Sequence, residues 1–277
     1  MNREQYIAQA EETLDILRRG RYSAVSGRGV DIGDWLQDSV TRTRLYHPYD
    51  FPTELNRPPH SFDTTIEVTP ETTLAAAHRL VLAQEHDEPL CLNFASAKNP
   101  GGGFLSGAQA QEESLARSSG LYASIAPQQE MYEHNRTLET CLYSDHMIYS
   151  PGVPVFRDDQ GRLLGVPYRT AFITAPAVNA GVVQQRELTR ITHIRPTMRQ
   201  RLERVLWVAA QCGHTRLVLG AWGCGVFAND PYEIAELFAE TLGEGGPFAG
   251  CSQHVVFAIY DRTPNRAVFA PFQNRLG

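Results

Sequence analysis

The sequence has few cysteines, no surplus of basic residues and no long apolar run. Its 5 cysteines are scattered and form no C-x-x-C pair, which favours free thiols in a reducing compartment over a disulfide framework. No apolar segment approaches the length of a membrane span. Charged residues recur through the N-terminal region, where a signal peptide would have its apolar core. These features predict a cytoplasmic protein that does not contact a membrane.

Several familiar functional motifs are also missing. The net charge of -6 over 277 residues argues against direct DNA binding, which usually requires a basic patch. No histidine pair has the H-E-x-x-H spacing, and neither a P-loop nor a complete G-x-G-x-x-G motif is present. We therefore expect neither a metal nor another cofactor. An anionic ligand remains compatible with this charge, because a few backbone N–H groups can hold a phosphate.

The apolar pattern predicts alternating strands and helices. An amphipathic helix is predicted over residues 3–19 and ends at Gly20. Thr69 as N-cap and Pro70 at the first helical position predict a second helix, and another is predicted over 197–212. Apolar strands are predicted in the segments TTIEV, PLCLNFA, YRTAFITAPAVN, TRLVLG and HVVFAIYD. The alternation predicts a three-layer α/β/α fold with a mixed, largely parallel sheet and an N-terminal helical extension.

Two glycine-rich loops each follow a predicted buried strand and precede a helix. The first contains Gly101–Gly103, and the second contains Gly223 and Gly225. Three consecutive glycines are costly to order, so the chain must need either a positive φ or a very close approach to its backbone there. Unpaired N–H groups at the carboxyl ends of strands suit phosphate oxygens. Each loop alone is more readily explained as a tight turn, but the two together favour a bound diphosphate.

Glu112 and Glu113 follow the first glycine loop at the start of a predicted helix. A carboxylate in this position is often only a capping group or a partner of the helix dipole. Adjacent helical residues point about 100° apart, so at most one of the two is expected to face the loop squarely. One such acid beside a diphosphate could protonate a glycosidic oxygen and then activate water as a base.

The segment NFASAKNPGGGFLSGAQAQEE resembles the GGG-x(6–8)-QEE signature of poly(ADP-ribose) glycohydrolases, in their shorter bacterial-type form built on a macrodomain. The spacer between the glycines and Gln111 is Phe104–Ala110. The second loop, LGAWGCGVFAND, is similar to the diphosphate-binding loop of macrodomains. YSPGVPVFRDD and ITAPAVN are similar to stretches of the bacterial branch, so the resemblance covers roughly residues 64–262.

The resemblance implies a role for each residue of the first loop and the glutamate pair. Gly101–Gly103 would bring the backbone against the diphosphate and the terminal ribose. Glu113 would be the catalytic acid and base, and Glu112 would hydrogen-bond ribose hydroxyls. Gln111 completes the signature and is counted among the substrate-binding residues.

The resemblance also implies roles for the second loop and for the start of the first. Phe227 would pack on the terminal ribose and orient it. Ser96 stands where the family pattern has Asn, so the ribose contact there would be weaker or would come from Asn99. The diphosphate would be wrapped by Gly223, Cys224, Gly225 and Val226.

The implied activity is hydrolysis of the ribose–ribose O-glycosidic bonds of poly(ADP-ribose), with release of ADP-ribose and without a cofactor. Action from chain ends would require a closed adenosine-ribose end, which depends on where residues 23–35 pack. ADP-ribosylated proteins would be partners, and a monomer is expected. Two other functions use the same pocket: a non-catalytic ADP-ribose reader, which needs the glycine loops but no carboxylate, and a hydrolase of mono-ADP-ribosylated proteins.

A single domain is expected over residues 1–277. Its predicted parts are an accessory segment over 1–63, a macrodomain-like core over 64–262 and a C-terminal segment over 263–277.

Overall fold

The computed structural model of the chain describes residues 2–55, 61–83 and 88–277. Within these ranges the strands are β1 (Arg21–Ser23), β2 (Gly29–Asp31), β3 (Arg44–Tyr46), β4 (Thr65–Thr69), β5 (Leu90–Phe94), β6 (Met147–Arg157), β7 (Leu163–Ala175), β8 (Arg216–Leu219) and β9 (His254–Ala258). The α-helices of the same ranges are α1 (Arg3–Arg19), α2 (Gly33–Arg42), α3 (Thr73–Ala83), α4 (Gln111–Ser118), α5 (Leu121–Ile125), α6 (Gln129–Thr137), α7 (Ala180–Arg186), α8 (Ile194–Gln211), α9 (Pro231–Leu242) and α10 (Phe269–Leu276). None of the described helices is long and apolar enough to cross a membrane.

Seven strands form one mixed sheet in the order β3-β6-β7-β5-β8-β9-β4, and β1 pairs with β2 in a separate hairpin. The pairs β7–β5, β5–β8, β8–β9 and β9–β4 are parallel, whereas β3–β6 and β6–β7 are antiparallel. Because parallel strands end at the same edge, the segments that follow β5, β7, β8 and β9 meet there. The predicted mixed α/β sheet is confirmed.

Helices cover both faces of the sheet, and strand side chains alternate between the two cores. Leu92 on β5 and Val255 on β9 pack with residues of α8, α9 and α10. Their sequence neighbours Cys91 and Val256 pack with residues of α3, α4, α5 and α6 on the opposite face. Successive side chains of a strand point to opposite faces, so a strand between two helical layers must be apolar throughout. This explains why PLCLNFA is apolar except for Asn93.

The helices predicted over 3–19 and 197–212 are confirmed as α1 and α8. Gly20 ends α1 in the left-handed conformation, with φ 66°. The helix start predicted at Thr69 and Pro70 is wrong, because β4 continues to pair with β9 through Thr69. Thr72 instead caps α3, where its hydroxyl accepts a hydrogen bond from the Ala75 N–H at 3.1 Å.

The N-terminal segment contains more than the predicted helical extension. β3 pairs with β6 and so forms an edge strand of the main sheet. α1 packs against α4, where the Thr13 hydroxyl donates to the Arg117 carbonyl at 2.7 Å. The Arg117 guanidinium lies 4.6 Å from the centroid of the Tyr6 ring. A small buried cluster also joins α1 and α4 to the turn at Phe104. The N-terminal helix therefore supports the helix that carries the two glutamates.

Candidate active site

The first glycine loop follows β5 at the carboxyl edge of the sheet and leads into α4. Gly101 and Gly102 both have the left-handed conformation, with φ of 70° and 60°. A Cβ on Gly102 would lie 2.4 Å from the Glu113 Oε1 atom and 3.1 Å from the Glu112 Oε2 atom. A Cβ on Gly101 would lie 2.9 Å from the Phe104 ring. Glycine is therefore required for two reasons: the backbone conformation, and the space that the carboxyl groups and the ring occupy.

Glu113 lies in the first turn of α4, and two backbone N–H groups bind its carboxylate. The Gly103 N–H donates to Oε1 at 2.9 Å, and the Ala110 N–H donates to Oε2 at 3.1 Å. The second contact is one half of a capping box, so Glu113 also caps the start of α4, as a glutamate in this position often does. Each carboxylate oxygen retains a lone pair for a further donor. The carboxylate is thus fixed in position and still able to act on a ligand.

Glu112 lies deeper than Glu113, with 3% of its surface exposed against 9%. The Ser96 N–H donates to its Oε2 atom at 2.7 Å, and the Asn93 Nδ2 atom donates to its Oε1 atom at 3.3 Å. Burial raises the pKa of Glu112 to about 8. The nearby charge of Glu113 also raises this pKa, whereas the hydrogen bonds from Ser96 and Asn93 lower it. Burial therefore favours the protonated form of Glu112 in the free protein.

The raised pKa of Glu112 leads to a prediction about stability. The unfolded chain titrates this group near 4.5, so between about pH 4.5 and about pH 8 the folded state alone keeps the proton. The free energy of unfolding therefore falls as pH rises through this window and levels off above it. Glu112→Gln has no such titration, so we expect its stability relative to the wild type to rise by more than about 1 kcal/mol from about pH 5 to about pH 9. Urea unfolding of both proteins measures this difference, which a pH-independent result would contradict.

Three residues that were predicted to bind the ligand make hydrogen bonds within the protein, namely Gln111, Ser96 and Asn99. Gln111 points into the sheet, where its amide oxygen accepts from the Phe94 N–H at 2.9 Å and its amide nitrogen donates to the Leu92 carbonyl at 2.8 Å. The Ser96 hydroxyl accepts from the Asn99 N–H at 3.2 Å. Gln111 and Ser96 line the cleft described below, but these bonds hold the loop and the start of α4 in place. Asn99 is exposed, and the structure does not bring it to the cleft wall within the described residues.

The second glycine loop joins β8 to α9 and is closed by a buried asparagine. Gly223 has φ 75°, and a Cβ there would lie 2.6 Å from the Ala177 Cβ atom. The Asn229 Nδ2 atom donates to the Val178 carbonyl at 2.7 Å and to the Gly223 carbonyl at 3.1 Å. This side chain therefore ties both ends of the loop to the segment that follows β7.

The second loop presents unused backbone donors. Asp230 caps α9 by accepting from the Tyr232 N–H at 2.9 Å, so the end of the helix is satisfied by its own residue. No group in the described part of the chain accepts a hydrogen bond from the N–H groups of Gly225, Val226 and Phe227. Adjacent backbone donors of this kind form a concave site for an anion. The anion-binding groups are thus in the loop itself and not in the helix terminus.

Cys224 and Phe227 take different positions in the second loop. Burial raises the pKa of the Cys224 thiol to about 12, so it is neutral at pH 7 and unsuited to nucleophilic chemistry. Its sulfur lies 3.8 Å from the Trp222 carbonyl oxygen. The half-buried Phe227 ring lies 5.9 Å from the Tyr143 ring, centroid to centroid. The thiol is therefore a packing group, whereas the phenyl ring borders open space.

One cleft of about 990 Å³ lies between the two loop regions, and within the described residues its lining includes the second glycine loop and the glutamate pair but not the predicted Gly101–Gly103, which lie behind the carboxyl groups. Glu112 and Glu113 lie in one wall, with Tyr6 of α1 beside them. The loop from Gly223 to Phe227 and the residues 258–262 at the end of β9 and after it also line the cleft. The volume is in the range of small-molecule and nucleotide sites. Fixed carboxyl groups and unused N–H donors in the lining of one cleft can hold an anionic ligand and move a proton at it.

Asn93 is a site residue that the sequence interpretation missed. It is fully buried at the end of β5, and its Nδ2 atom donates to the Thr174 hydroxyl at 3.1 Å as well as to Glu112. It therefore positions the deeper carboxyl group. The sequence did contain a signal, because Asn93 is the one polar residue in the apolar segment PLCLNFA.

Comparisons with known proteins agree with this fold and cleft. The family model "Microbial-type PARG, catalytic domain" matches residues 10–158. Poly(ADP-ribose) glycohydrolase from Thermomonospora curvata bound to the inhibitor ADP-HPD is 53% identical, covers 99% of this chain and 100% of its own, and superimposes with a TM-score of 0.93. The enzyme from Deinococcus radiodurans in complex with ADP-ribose is 51% identical, covers 87% of this chain and 96% of its own, and has a TM-score of 0.81. No curated protein matches the sequence.

The fold and the cleft are those of a macrodomain-like glycoside hydrolase. The chain belongs to the microbial-type poly(ADP-ribose) glycohydrolase family, and its activity is therefore that of a glycoside hydrolase on poly(ADP-ribose). Of the functions considered from the sequence, a purely non-catalytic reader is excluded by this membership.

Proposed function

We propose that the chain hydrolyses the ribose–ribose O-glycosidic bonds of poly(ADP-ribose) with Glu113 as general acid and base. The observation that carries this role is the position of the Glu113 carboxylate, which is bound by the N–H groups of Gly103 and Ala110 at the cleft wall. It lies against the bare backbone of Gly102, where a Cβ would displace it. The deeper Glu112 would hold ribose hydroxyls.

In the first step Glu113 donates its proton to the leaving ribose oxygen as the bond to the anomeric carbon breaks through an oxocarbenium-like transition state. The resulting carboxylate then takes a proton from the water that adds to the anomeric carbon, which restores the acid. The N–H groups of Gly225, Val226 and Phe227 would hold the diphosphate. Two phosphate charges and the exclusion of water favour the protonated carboxyl that the first step needs.

We also propose that the enzyme cleaves the polymer from its ends, because the loop after β9 borders the cleft and is held in place by hydrogen bonds to Asp261. The Asp261 carboxylate accepts from the Thr263 N–H at 2.8 Å, the Val268 N–H at 2.8 Å and the Phe269 N–H at 3.1 Å. Such a wall would stop a polymer from passing through. The segment 23–35 does not form this wall, because its hairpin packs on Phe156 and, within the described residues, none of it lines the cleft.

The test of the proposed function compares two substrates. One is poly(ADP-ribose) with a fluorescent label on its free terminal ADP-ribose, and the other is a mono-ADP-ribosylated protein. We expect early release of the label, gradual shortening of the polymer and no release from the protein. Fragments of intermediate length with a retained label would contradict chain-end action. Faster release from the mono-ADP-ribosylated protein than from the polymer would contradict the proposed bond specificity.

Gly102→Ala is expected to lower polymer turnover by about 100-fold, because the new Cβ would displace the Glu113 carboxylate from a distance of 2.4 Å. The left-handed φ of Gly102 adds strain that is unrelated to catalysis. Gly213→Ala is the matched control, since Gly213 has φ 78° and no atom within 4 Å of a Cβ. Turnover and melting temperature of both variants separate the two effects. Equal turnover in both would contradict the contact with Glu113.

Phe227→Ala is expected to lower the turnover number by up to about 100-fold and to change ADP-ribose affinity much less. The backbone donors for the diphosphate remain, but the reacting ribose is less well aligned without the ring. Phe227→Leu keeps part of the apolar surface and should give an intermediate rate. Steady-state kinetics with calorimetry on ADP-ribose measures both quantities. A loss of affinity with unchanged turnover at saturation would make Phe227 a binding contact only.

A further inference from the structure

A cluster of imidazole and carboxylate groups lies outside the catalytic cleft. His47 follows β3, Glu130 belongs to α6 and His146 precedes β6. One ligand atom from each of these three residues lies within 4.8 Å of the other two. The His47 Nε2 atom is already 3.1 Å from the Glu130 Oε1 atom, a spacing that two ligands of one metal ion can have. None of the three has a role in the mechanism proposed above.

Hydrogen bonds orient both rings of the cluster. The His47 Nδ1 atom lies 3.1 Å from the Asp50 Oδ2 atom, and the Asp50 carboxylate also accepts from the His47 backbone N–H at 2.9 Å. The His146 Nδ1 atom lies 2.8 Å from the Ser144 hydroxyl. In both rings Nδ1 is occupied, which leaves Nε2 as the nitrogen for a metal. A carboxylate bound to the far nitrogen of a histidine is the usual second shell of a metal site.

A further histidine is near enough to complete the coordination. His134 lies one helical turn after Glu130 on α6, so the two side chains share a face of the helix. Its ring centroid is 4.8 Å from that of His146. His134 is exposed and has no place among the three converging residues themselves. The groups present are therefore two or three imidazoles and one carboxylate.

We propose that His47, Glu130 and His146 form a zinc site, with His134 or water in the fourth position. Imidazole nitrogen and carboxylate oxygen are ordinary zinc ligands, and one acid with three histidines, or with two histidines and a water, makes up a four-coordinate set. The alternative is an ion pair between a protonated His47 and its two carboxylate neighbours. That alternative uses His47 alone and leaves the convergence of His146 and His134 without a function.

The proposed ion joins the edge of the sheet to α6. His47 and His146 come from the ends of the paired strands β3 and β6. α6 also carries Met131 and Tyr132, which are fully buried in the core that also contains Leu115 of α4. Zinc would therefore hold α6 against the sheet and support the layer beneath the catalytic helix. Its role is structural, and it takes no part in the hydrolysis.

The test measures zinc uptake by the full-length protein after treatment with EDTA and removal of the chelator. We expect one Zn²⁺ ion per chain by calorimetry and a melting temperature that rises with Zn²⁺ concentration. Glu130→Gln should weaken zinc affinity at least about tenfold, and Asp50→Asn should weaken it about 10–100-fold, as loss of an outer-shell partner does. Glu133→Gln is the matched control, because Glu133 is an exposed glutamate on the same helix but outside the cluster.

Two results would overturn the proposal. The first is the absence of saturable zinc uptake by the wild type. The second is uptake with equal affinity in the wild type, Glu130→Gln and Asp50→Asn, because the bound ion would then lie elsewhere. The side chain of Glu130 is 62% exposed, so its substitution is not expected to disturb folding and provides the safer variant.

Discussion

The Glu113→Gln substitution is expected to lower polymer turnover by about 10²–10⁴-fold or more, while the affinity for ADP-ribose is kept. The amide cannot donate the acidic proton in the first step or accept a proton from water in the second. Binding should be retained because, in the proposed mode of binding, the loop from Gly225 to Phe227 holds the diphosphate and the substitution removes a negative charge near the phosphates. Polymer turnover and calorimetry with ADP-ribose are the two measurements.

The same variant needs a check on folding. The glutamine oxygen can still accept from one of the two N–H groups at Gly103 and Ala110, so we expect only a small fall in melting temperature. Glu133→Gln, an exposed change of the same kind on α6, should retain wild-type turnover. Turnover within about tenfold of the wild type in a folded Glu113→Gln protein would refute a role in acid–base catalysis, which is worth more than that.

Gly225→Val is expected to lower ADP-ribose affinity by about 100-fold or more. A Cβ on Gly225 meets no protein atom within 4 Å and the residue has no positive φ, so the new side chain fits the free protein and projects into open space. It would occupy the place of the diphosphate and separate it from the adjacent N–H donors. Two lost hydrogen bonds to a charged group, at about 1.5–3 kcal/mol each, account for an effect of this size.

Gly165→Val is the control for this experiment. Gly165 is exposed on β7, and a Cβ there also meets no atom within 4 Å. Both variants should have melting temperatures close to that of the wild type, because a Cβ meets no atom within 4 Å at either position and valine suits the extended strand at Gly165. Wild-type ADP-ribose affinity in a folded Gly225→Val protein would remove the second loop from the diphosphate site.

The catalytic loop could be predicted from the sequence because its parts are contiguous. Three glycines before two glutamates already imply that the backbone approaches something closely, and the structure shows that the carboxyl groups themselves occupy that space. The apolar strands and both long helices follow from periodicity alone. The family resemblance added the assignment of the substrate, which no pattern of residues dictates.

Features that depend on distant pairing could not be predicted. β3 is three residues long, too short for an alternating pattern to show, and its partner β6 lies far along the chain. Thr69 and Pro70 look like a helix start, but pairing with β9 decides that the strand continues. The cluster around His47 and His146 comes from three separate elements, so no spacing along the chain indicates it.

The central claim of the proposed mechanism is that Glu113, and not Glu112, is the general acid. The raised pKa of Glu112 is a property that a general acid would have, whereas the more exposed Glu113 carboxylate lies against Gly102. The geometry favours Glu113, because Glu112 is tied to Asn93 and Ser96 at the base of the cleft. In the proposed mechanism Glu112 would serve as a hydrogen-bonding group for ribose.

Single-turnover cleavage of one poly(ADP-ribose) preparation by Glu112→Gln and Glu113→Gln tests this assignment most directly. With enzyme in excess, the rate constant reports the chemical step without product release. We expect Glu112→Gln to cleave within about tenfold of the wild type, since its amide still binds hydroxyls, and Glu113→Gln to be slower by at least about 10²-fold. A Glu113→Gln protein that cleaves at near wild-type rate while Glu112→Gln is inactive would contradict the account and exchange the two roles.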